Sequence, residues 1–161
     1  RFDGIGGPQM AQAGLTSLFP MEELSVMGIA EVLPRYPHLR RRLRQAALSA
    51  ANVAPDLLLT VDSPDFCLRL ASAVRGLRPD QRTCHYVAPS VWAWRPGRAL
   101  RMARWIDQVL CLLPFEPKYM REAGMRADFV GHPVAAAPLA SAQEVADFRD
   151  GRGSRCGAGA A

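Results

Sequence analysis

The sequence predicts an α/β fold, specifically a doubly wound Rossmann-like parallel sheet. Short apolar runs alternate with helical segments from residue 54 onward, which is the pattern of β-α-β units. The composition, 49% hydrophobic and 22% charged over 161 residues, is typical of one globular domain with its own core. No apolar run approaches the ~20 residues of a membrane-spanning helix, so we expect the chain in the cytosol.

Four strands and three helices account for this alternation. The first strand is an apolar run closed by Asp62, Ser63 and Pro64, as expected for a strand buried on both faces. The predicted strands span residues 57–61, 84–88, 108–113 and 127–130, and the predicted helices span residues 65–77, 98–105 and 117–124. An apolar stripe at helical spacing predicts a further helix that packs on the sheet, with Leu39, Leu43, Ala46, Ala47 and Ala50 on its buried side.

The ends of the chain differ from this central part. Residues 1–137 are predicted to form the Rossmann-like domain, residues 138–150 a linker or the start of a second domain, and residues 151–161 a disordered tail rich in Gly, Ala and Arg. The chain opens with Arg1 in an extended apolar stretch, which we interpret as a cut edge. Metal-ligand spacing is absent from the cysteines, which we predict to be reduced structural thiols: Cys67, Cys84, Cys111 and Cys156.

The net charge of +5 comes almost entirely from arginine, because Lys118 is the only lysine. A basic balance suggests an anionic partner such as nucleic acid, a phosphorylated substrate or acidic lipid, although an arginine bias can also reflect genome composition. Nucleic acid is the weakest of these partners, since the basic residues are scattered over several elements and no recognition motif appears. We therefore expect no nucleic-acid binding.

Asp62 is the best candidate for a catalytic residue. Ligands of open parallel sheets bind beyond the carboxyl ends of the strands, and Asp62 directly follows the first strand. Pro64 is expected to restrict Ser63 to extended geometry, which would hold the carboxylate at the edge of the sheet. Position alone supports a catalytic role and a helix-capping role equally. Asp65 is a second candidate for the cap of the following helix.

Residues 89–97 hold two tryptophans in a connection between a strand and a helix. Aromatic rings beside an arginine suit a sugar ring with a phosphate nearby, but the same tryptophans could simply cover the edge of the sheet. We assign His85, inside a strand, to the core. The candidate substrate-binding residues are Ser90, Trp92, Trp94, Arg95 and, after the last strand, His132.

Residues 26–39 are apolar where a connector is normally polar, and arginines follow them. Pro34 and Pro37 are expected to prevent one continuous helix. Apolar anchors beside cations are the ingredients of an interfacial membrane contact, while a core-packing connector with a solvated arginine face is the alternative. The predicted membrane-contact residues are Val32, Leu33, Tyr36, Leu39, Arg40 and Arg41, with Arg35 and Arg42 as further flanking cations.

Several segments resemble hallmark motifs of the lipid-A-disaccharide synthases, in that family's order: residues 21–33, 61–66, 85–95, 113–116 and 129–133. The resemblance implies the N-terminal half of a GT-B glycosyltransferase that acts at the cytoplasmic leaflet of the inner membrane. It implies UDP-2,3-diacylglucosamine as donor, 2,3-diacylglucosamine 1-phosphate (lipid X) as acceptor, and a β-1,6-linked disaccharide phosphate and UDP as products. It also implies that Asp62 is the general base and that neither a metal nor an organic cofactor is needed.

Two parts of the family pattern are missing from this sequence. The resemblance places the family's first strand, with its glycine-containing loop, before Arg1. It places a second domain, which holds most of the donor-nucleotide contacts, after the end of the chain. We therefore expect weak or no UDP binding by the chain alone. A truncated, non-catalytic remnant that folds without turnover is the alternative to an active enzyme.

Overall fold

Four short parallel strands lie side by side in a computed structural model that describes residues 2–24, 29–92 and 97–151, with residues 29–35 described by their backbone alone. The strand order follows the chain: β1 Leu58–Val61, β2 Thr83–Tyr86, β3 Gln108–Cys111 and β4 Arg126–Phe129. The helices are α1 Pro8–Gln12, α2 Ile29–Val53, α3 Pro64–Leu77, α4 Gly97–Met102, α5 Glu116–Glu122 and α6 Ala142–Arg149, with 3-10 turns at Met21–Leu24 and Pro133–Ala136. This α/β, Rossmann-like arrangement confirms the predicted fold class and is consistent with the N-terminal half of a GT-B enzyme.

One face of the sheet is packed by the helices that connect the strands. Side chains from α3, α4 and α5 (Ala71, Met102 and Met120) share one buried cluster with Val109 and Ala127 of the sheet. A row of paired residues beneath these helices is at most 4% exposed: Thr60, His85, Val109 and Ala127. This row is the buried base of the sheet.

The opposite face of β1 is open in the described part of the chain. Leu59 is 50% exposed and Val61 is 42% exposed. The expectation that this strand is buried on both faces is therefore wrong for these residues. Alternate side chains of a strand point to opposite faces, and the described helices pack on only one of them.

Helix α2 packs along α3 through four of the five residues of the predicted stripe. Leu43, Ala46, Ala47 and Ala50 join the cluster that contains Phe19, Leu70 and Val74, while Leu39 is partly buried outside that cluster. The expected interruption at Pro34 and Pro37 is wrong, because α2 runs continuously from Ile29 to Val53. A proline inside a helix removes its own N–H and crowds the carbonyl four residues earlier, but the 25-residue helix continues through both positions.

A polar clamp joins the 3-10 turn Met21–Leu24 to α2. Glu23 accepts hydrogen bonds from Nε and Nη2 of Arg42, both at 2.6 Å, and lies 2.6 Å from Nε2 of His38. The hydrogen bonds from Arg42 lower the pKa of Glu23 to about 2. The Arg42 guanidinium also lies over the ring of Phe19, 4.7 Å from its centroid. Arg42 is thus engaged inside the fold and is not one of the free flanking cations that the sequence predicts.

The contacts divide the chain into a unit that ends at Val130 and a second unit that starts at Gly131. In the second unit, Ser141 and Glu144 form a reciprocal capping box at the start of α6. The predicted domain limits at residues 137 and 150 stay predictions. The tail was predicted to be disordered over residues 151–161. Residues 152–161, which include Cys156, lie outside the described residues.

Among the described residues, no helix combines the length and apolarity needed to cross a bilayer. Cys67, Cys84 and Cys111 are buried free thiols, as predicted.

Candidate functional site

The residues that directly follow β1, β2 and β3 meet at one edge of the sheet, because the strands are parallel and in register. We call this edge the rim and define it as residues 62–64, 87–92 and 112–116. Its backbone is unusual: three non-glycine residues have positive φ, namely Asp62 (49°), Ser63 (41°) and Val87 (79°). Such conformations cost free energy and are concentrated at functional sites in proteins.

Asp62 leaves β1 in this left-handed conformation. Its N–H donates to the carbonyl of Tyr86 on the neighbouring strand at 3.0 Å, which fixes the residue at the end of the sheet. The side chain is exposed. Within residues 2–24, 29–92 and 97–151, no hydrogen bond or ion pair occupies its carboxylate. The structure therefore presents, on an anchored backbone, a carboxylate that no described residue occupies.

The expectation that Pro64 keeps Ser63 extended is wrong, since Ser63 has φ 41° and ψ 58°. A following proline disfavours the right-handed helical region. The chain must also turn sharply from β1 into α3, and two successive left-handed residues make that turn. Pro64 then occupies the first position of α3, where its missing N–H costs nothing.

The capping roles considered for the two aspartates are not found in the described contacts. The residue that caps α3 is Ser63, without a side-chain hydrogen bond. Asp65 lies in the first turn of α3 and accepts from Nη2 of Arg98 at 2.7 Å. Within the described part of the chain, the Asp62 side chain thus has no capping or ion-pairing role.

Neutral groups lie beneath Asp62. His85 is fully buried, as predicted, and burial lowers its pKa to about 4 while the charge of Asp62 acts in the opposite direction. Burial likewise raises the pKa of the Cys67 thiol to about 11, and its Sγ donates to the Val61 carbonyl at 3.8 Å. Both groups are uncharged near pH 7. Neither of them neutralises the Asp62 carboxylate.

Nδ1 of His85 lies 2.8 Å from the hydroxyl of Thr60, which also lies 3.2 Å from the Cys84 carbonyl. Nε2 is buried without a hydrogen-bond partner in the described part of the chain. A second proton on the ring would create a buried cation, which is why the neutral form is favoured.

The loop after β2 combines buried anchors with an exposed tip. The N–H of Val87 donates to the Leu110 carbonyl at 3.1 Å, and Val91 is buried. Ser90 is exposed. The Trp92 ring is 44% exposed and meets Phe115, 46% exposed, edge to face at 5.2 Å between centroids. The predicted contact residues Trp94 and Arg95 lie outside the described residues.

The loop after β3 is closed by Glu116, which is buried at the start of α5. Its Oε2 accepts from the N–H groups of Leu112 (3.0 Å) and Leu113 (2.9 Å). Sequence reasoning did not select Glu116 or Phe115 as site residues. The sequence contains one signal that could have identified Glu116. An acidic residue stands at the start of a predicted helix, three residues after the end of an apolar strand.

His132 belongs to the second structural unit and has a local role there. It caps the 3-10 turn Pro133–Ala136, and its Nδ1 accepts from the N–H of Val134 at 3.1 Å. Its predicted contact with substrate stays a prediction. Among the described residues, no group of three His, Cys, Asp or Glu side chains is arranged to hold a metal ion.

A family model described as lipid-A-disaccharide synthetase matches residues 1–149. The chain belongs to this family. It is similar to the lipid-A-disaccharide synthases of Ruegeria pomeroyi (58% identical), Rhodospirillum centenum (50%) and Nitrobacter hamburgensis (53%). These alignments cover 92%, 83% and 83% of this chain but only 37%, 33% and 34% of the relatives.

The family match contains the whole rim. All four strands and the loops after β1, β2 and β3 lie inside residues 1–149. The chain spans little more than a third of the relatives' length at most. Asp62 therefore lies within the part of the chain that the family model matches.

Proposed function

We propose that this chain is the acceptor-side half of a lipid-A-disaccharide synthase and that Asp62 is its general base. The complete enzyme transfers 2,3-diacylglucosamine from UDP to 2,3-diacylglucosamine 1-phosphate. Asp62 takes the proton from the attacking hydroxyl of the acceptor, the oxygen bonds to C1 of the donor sugar, and UDP departs from the opposite side with inversion. The observation that supports this role most strongly is the exposed Asp62 carboxylate on an anchored, strained backbone.

The surroundings of Asp62 suit a base. A general base must be ionised before attack and must not be committed to another partner. The two buried groups beneath it, His85 and Cys67, are neutral, and Arg98 is already paired with Asp65. We infer that the proton removed by Asp62 comes from substrate and is not relayed inward through His85. Ser90, Trp92, Trp94, Arg95 and His132 remain proposed substrate contacts.

Replacement of the base tests the proposal in a full-length synthase that contains this sequence. We expect Asp62→Asn to lower kcat at least ~10²-fold with little change in the melting temperature, because the amide keeps the shape and removes the base. Asp65→Asn, at the same rim but paired with Arg98, is the matched control and should retain most activity. An Asp62→Asn enzyme with more than about a tenth of the wild-type rate would contradict the assignment.

The isolated chain is proposed to fold without turnover. It spans at most 37% of the relatives' length, and a cleft between two domains needs both walls. Isothermal titration of the chain with UDP should show weak or undetectable binding. Tight binding would place the nucleotide site in this chain and would contradict the proposal that most UDP contacts lie in the other domain.

We also propose that the chain contacts the cytoplasmic leaflet of the inner membrane through the N-terminal part of α2. Tyr36, Arg40 and Arg41 are exposed and Leu39 is partly buried, while the side chains of Val32 and Leu33 lie outside the described residues. Each arginine near an anionic surface contributes roughly 1 kcal/mol, which salt screens, whereas apolar insertion persists. Exposed arginines beside apolar side chains suit an enzyme whose substrates are acylated.

Vesicle co-sedimentation tests this membrane contact. We expect Leu33→Ser, Tyr36→Ser and Leu39→Ser together to abolish the salt-resistant binding to anionic vesicles. The control is Leu48→Ser with Val53→Ser, which removes two exposed apolar side chains near the other end of the same helix. Equal sedimentation of both folded variants at high salt would show that the segment is an ordinary connector.

A further inference from the structure

The loop after β3 turns its one polar side chain inward. Glu116 accepts from two backbone N–H groups of this loop, and its own N–H donates to the Leu113 carbonyl at 3.2 Å. Three hydrogen bonds thus close a turn within residues 112–116. Glu116 is only 4% exposed, and its carboxylate fixes the turn through Oε2.

The outward surface of this turn is hydrocarbon. Residues 112–115 are Leu-Leu-Pro-Phe, and both Pro114 and Phe115 are exposed. The rings of Phe115 and Trp92 are perpendicular, at 88°, and join the loops that follow β2 and β3. Two perpendicular rings, each a little under half exposed, form a corner with apolar walls at the rim.

We propose that Phe115 contacts the substrate: with Trp92 it forms an apolar corner that receives an acyl chain of an acylated sugar, and Glu116 is the positioning residue that holds it. This inference rests on the proposed function. An acyl chain fits better than a sugar ring, because sugar recognition needs hydrogen-bonding groups beside the aromatic face. In the described part of the chain, the side chains of residues 112–115 carry no hydrogen-bonding group, and Oε2 of Glu116 already accepts from the Leu112 and Leu113 N–H groups.

Substrate pairs that differ only in acyl length test the corner in the full-length synthase that contains this sequence. With long-chain substrates, we expect Phe115→Ala to lower kcat/KM about tenfold, mainly through KM, because it removes apolar contact made in both ground and transition states. With acetyl groups in place of the long chains, the same variant should match wild type. Phe115→Leu should keep most long-chain activity. Leu100→Ala, a more exposed apolar position on α4, should change neither.

The role of Glu116 is tested by two replacements. Glu116→Gln keeps an acceptor oxygen for the Leu112 and Leu113 N–H groups and should retain the preference for long chains. Glu116→Ala releases the turn and should reproduce the Phe115→Ala pattern. Because both changes act through one contact, adding Phe115→Ala to Glu116→Ala should cause little further loss. Fully additive losses would show that Glu116 acts independently of Phe115.

The outcomes separate this inference from the function beneath it. If the wild-type full-length protein makes no disaccharide, the proposed function is wrong. If it does, and Phe115→Ala reduces activity equally with long-chain and acetylated substrates, or reduces neither, the acyl corner is wrong and the function stands. Circular dichroism and melting curves of each variant exclude loss of folding as the cause of either result.

Discussion

Two neighbouring layers of the same strands differ sharply in this molecule. In the buried row, Thr60 and His85 follow regular strand geometry and are almost completely buried. Two residues further along each strand, Asp62 and Val87 have left-handed backbones, and Asp62 is exposed. The contrast shows how the fold can hold a strained carboxylate: the packed row fixes the strands, and the strain is confined to residues beyond it.

The two layers also treat charge differently. The packed row keeps its one titratable ring neutral, because burial lowers the pKa of His85 to about 4. The rim leaves the Asp62 carboxylate without a partner in the described part of the chain. The expected consequence is that changes in the buried layer reduce stability, whereas changes at the rim alter function or even improve stability.

The largest stability effect is expected for Met102→Ala, directly above the packed row. Met102 is fully buried in the cluster with Ala71 and Met120. Its truncation leaves a cavity and should lower the free energy of unfolding by about 2–5 kcal/mol. Urea denaturation of the chain measures this loss. Leu100→Ala on the same helix, 63% exposed, should cost less than about 1 kcal/mol, and similar losses for both would contradict the packing described here.

A second prediction concerns the pH dependence that His85 imposes. The folded pKa, about 4, lies below the reference value of 6.5, so the unfolded chain binds more protons between these values. The stability that neutral His85 contributes is complete above pH 6.5 and is lost as the pH falls toward 4, with a total of roughly 3 kcal/mol. We expect His85→Asn to remove this part of the pH dependence of the free energy of unfolding, which urea titrations at several pH values measure. Parallel curves for wild type and variant would show that His85 does not titrate differently in the folded state.

The sequence was sufficient to locate the rim. Apolar runs followed by polar residues identified the ends of the strands, and the parallel order made Asp62 a site candidate before any geometry was known. Burial of His85 was predicted from its place inside a strand, and the packed stripe of α2 from its helical spacing. These features depend on local patterns that hydrophobic burial enforces.

Other features depend on contacts between residues that are brought together only by folding, and rules based on local sequence did not predict them. The rule for a residue before proline removes one backbone region for Ser63 but does not choose the left-handed one. The prolines in α2 reduce helix propensity, yet packing of its later turns on α3 supports the continuous helix. Glu116 was not predicted because the N–H groups of Leu112 and Leu113 come within hydrogen-bonding distance of its carboxylate only when the turn is formed.

The smallest predicted effect is a gain in stability at the rim. Ser63 has φ 41° and ψ 58° and makes no capping hydrogen bond with its side chain, so glycine should relieve backbone strain without removing a contact. We expect Ser63→Gly to raise the free energy of unfolding by about 1 kcal/mol, after the larger entropy of glycine in the unfolded chain is subtracted. Ser72→Gly inside α3 makes the same chemical change in regular helix and should lower it by about 0.5–1 kcal/mol. Opposite signs in parallel urea titrations would confirm that strain is localised beyond the packed row. Equal losses at both positions would show that the left-handed turn at Ser63 costs the fold nothing, and the contrast between the two layers would then rest on burial alone.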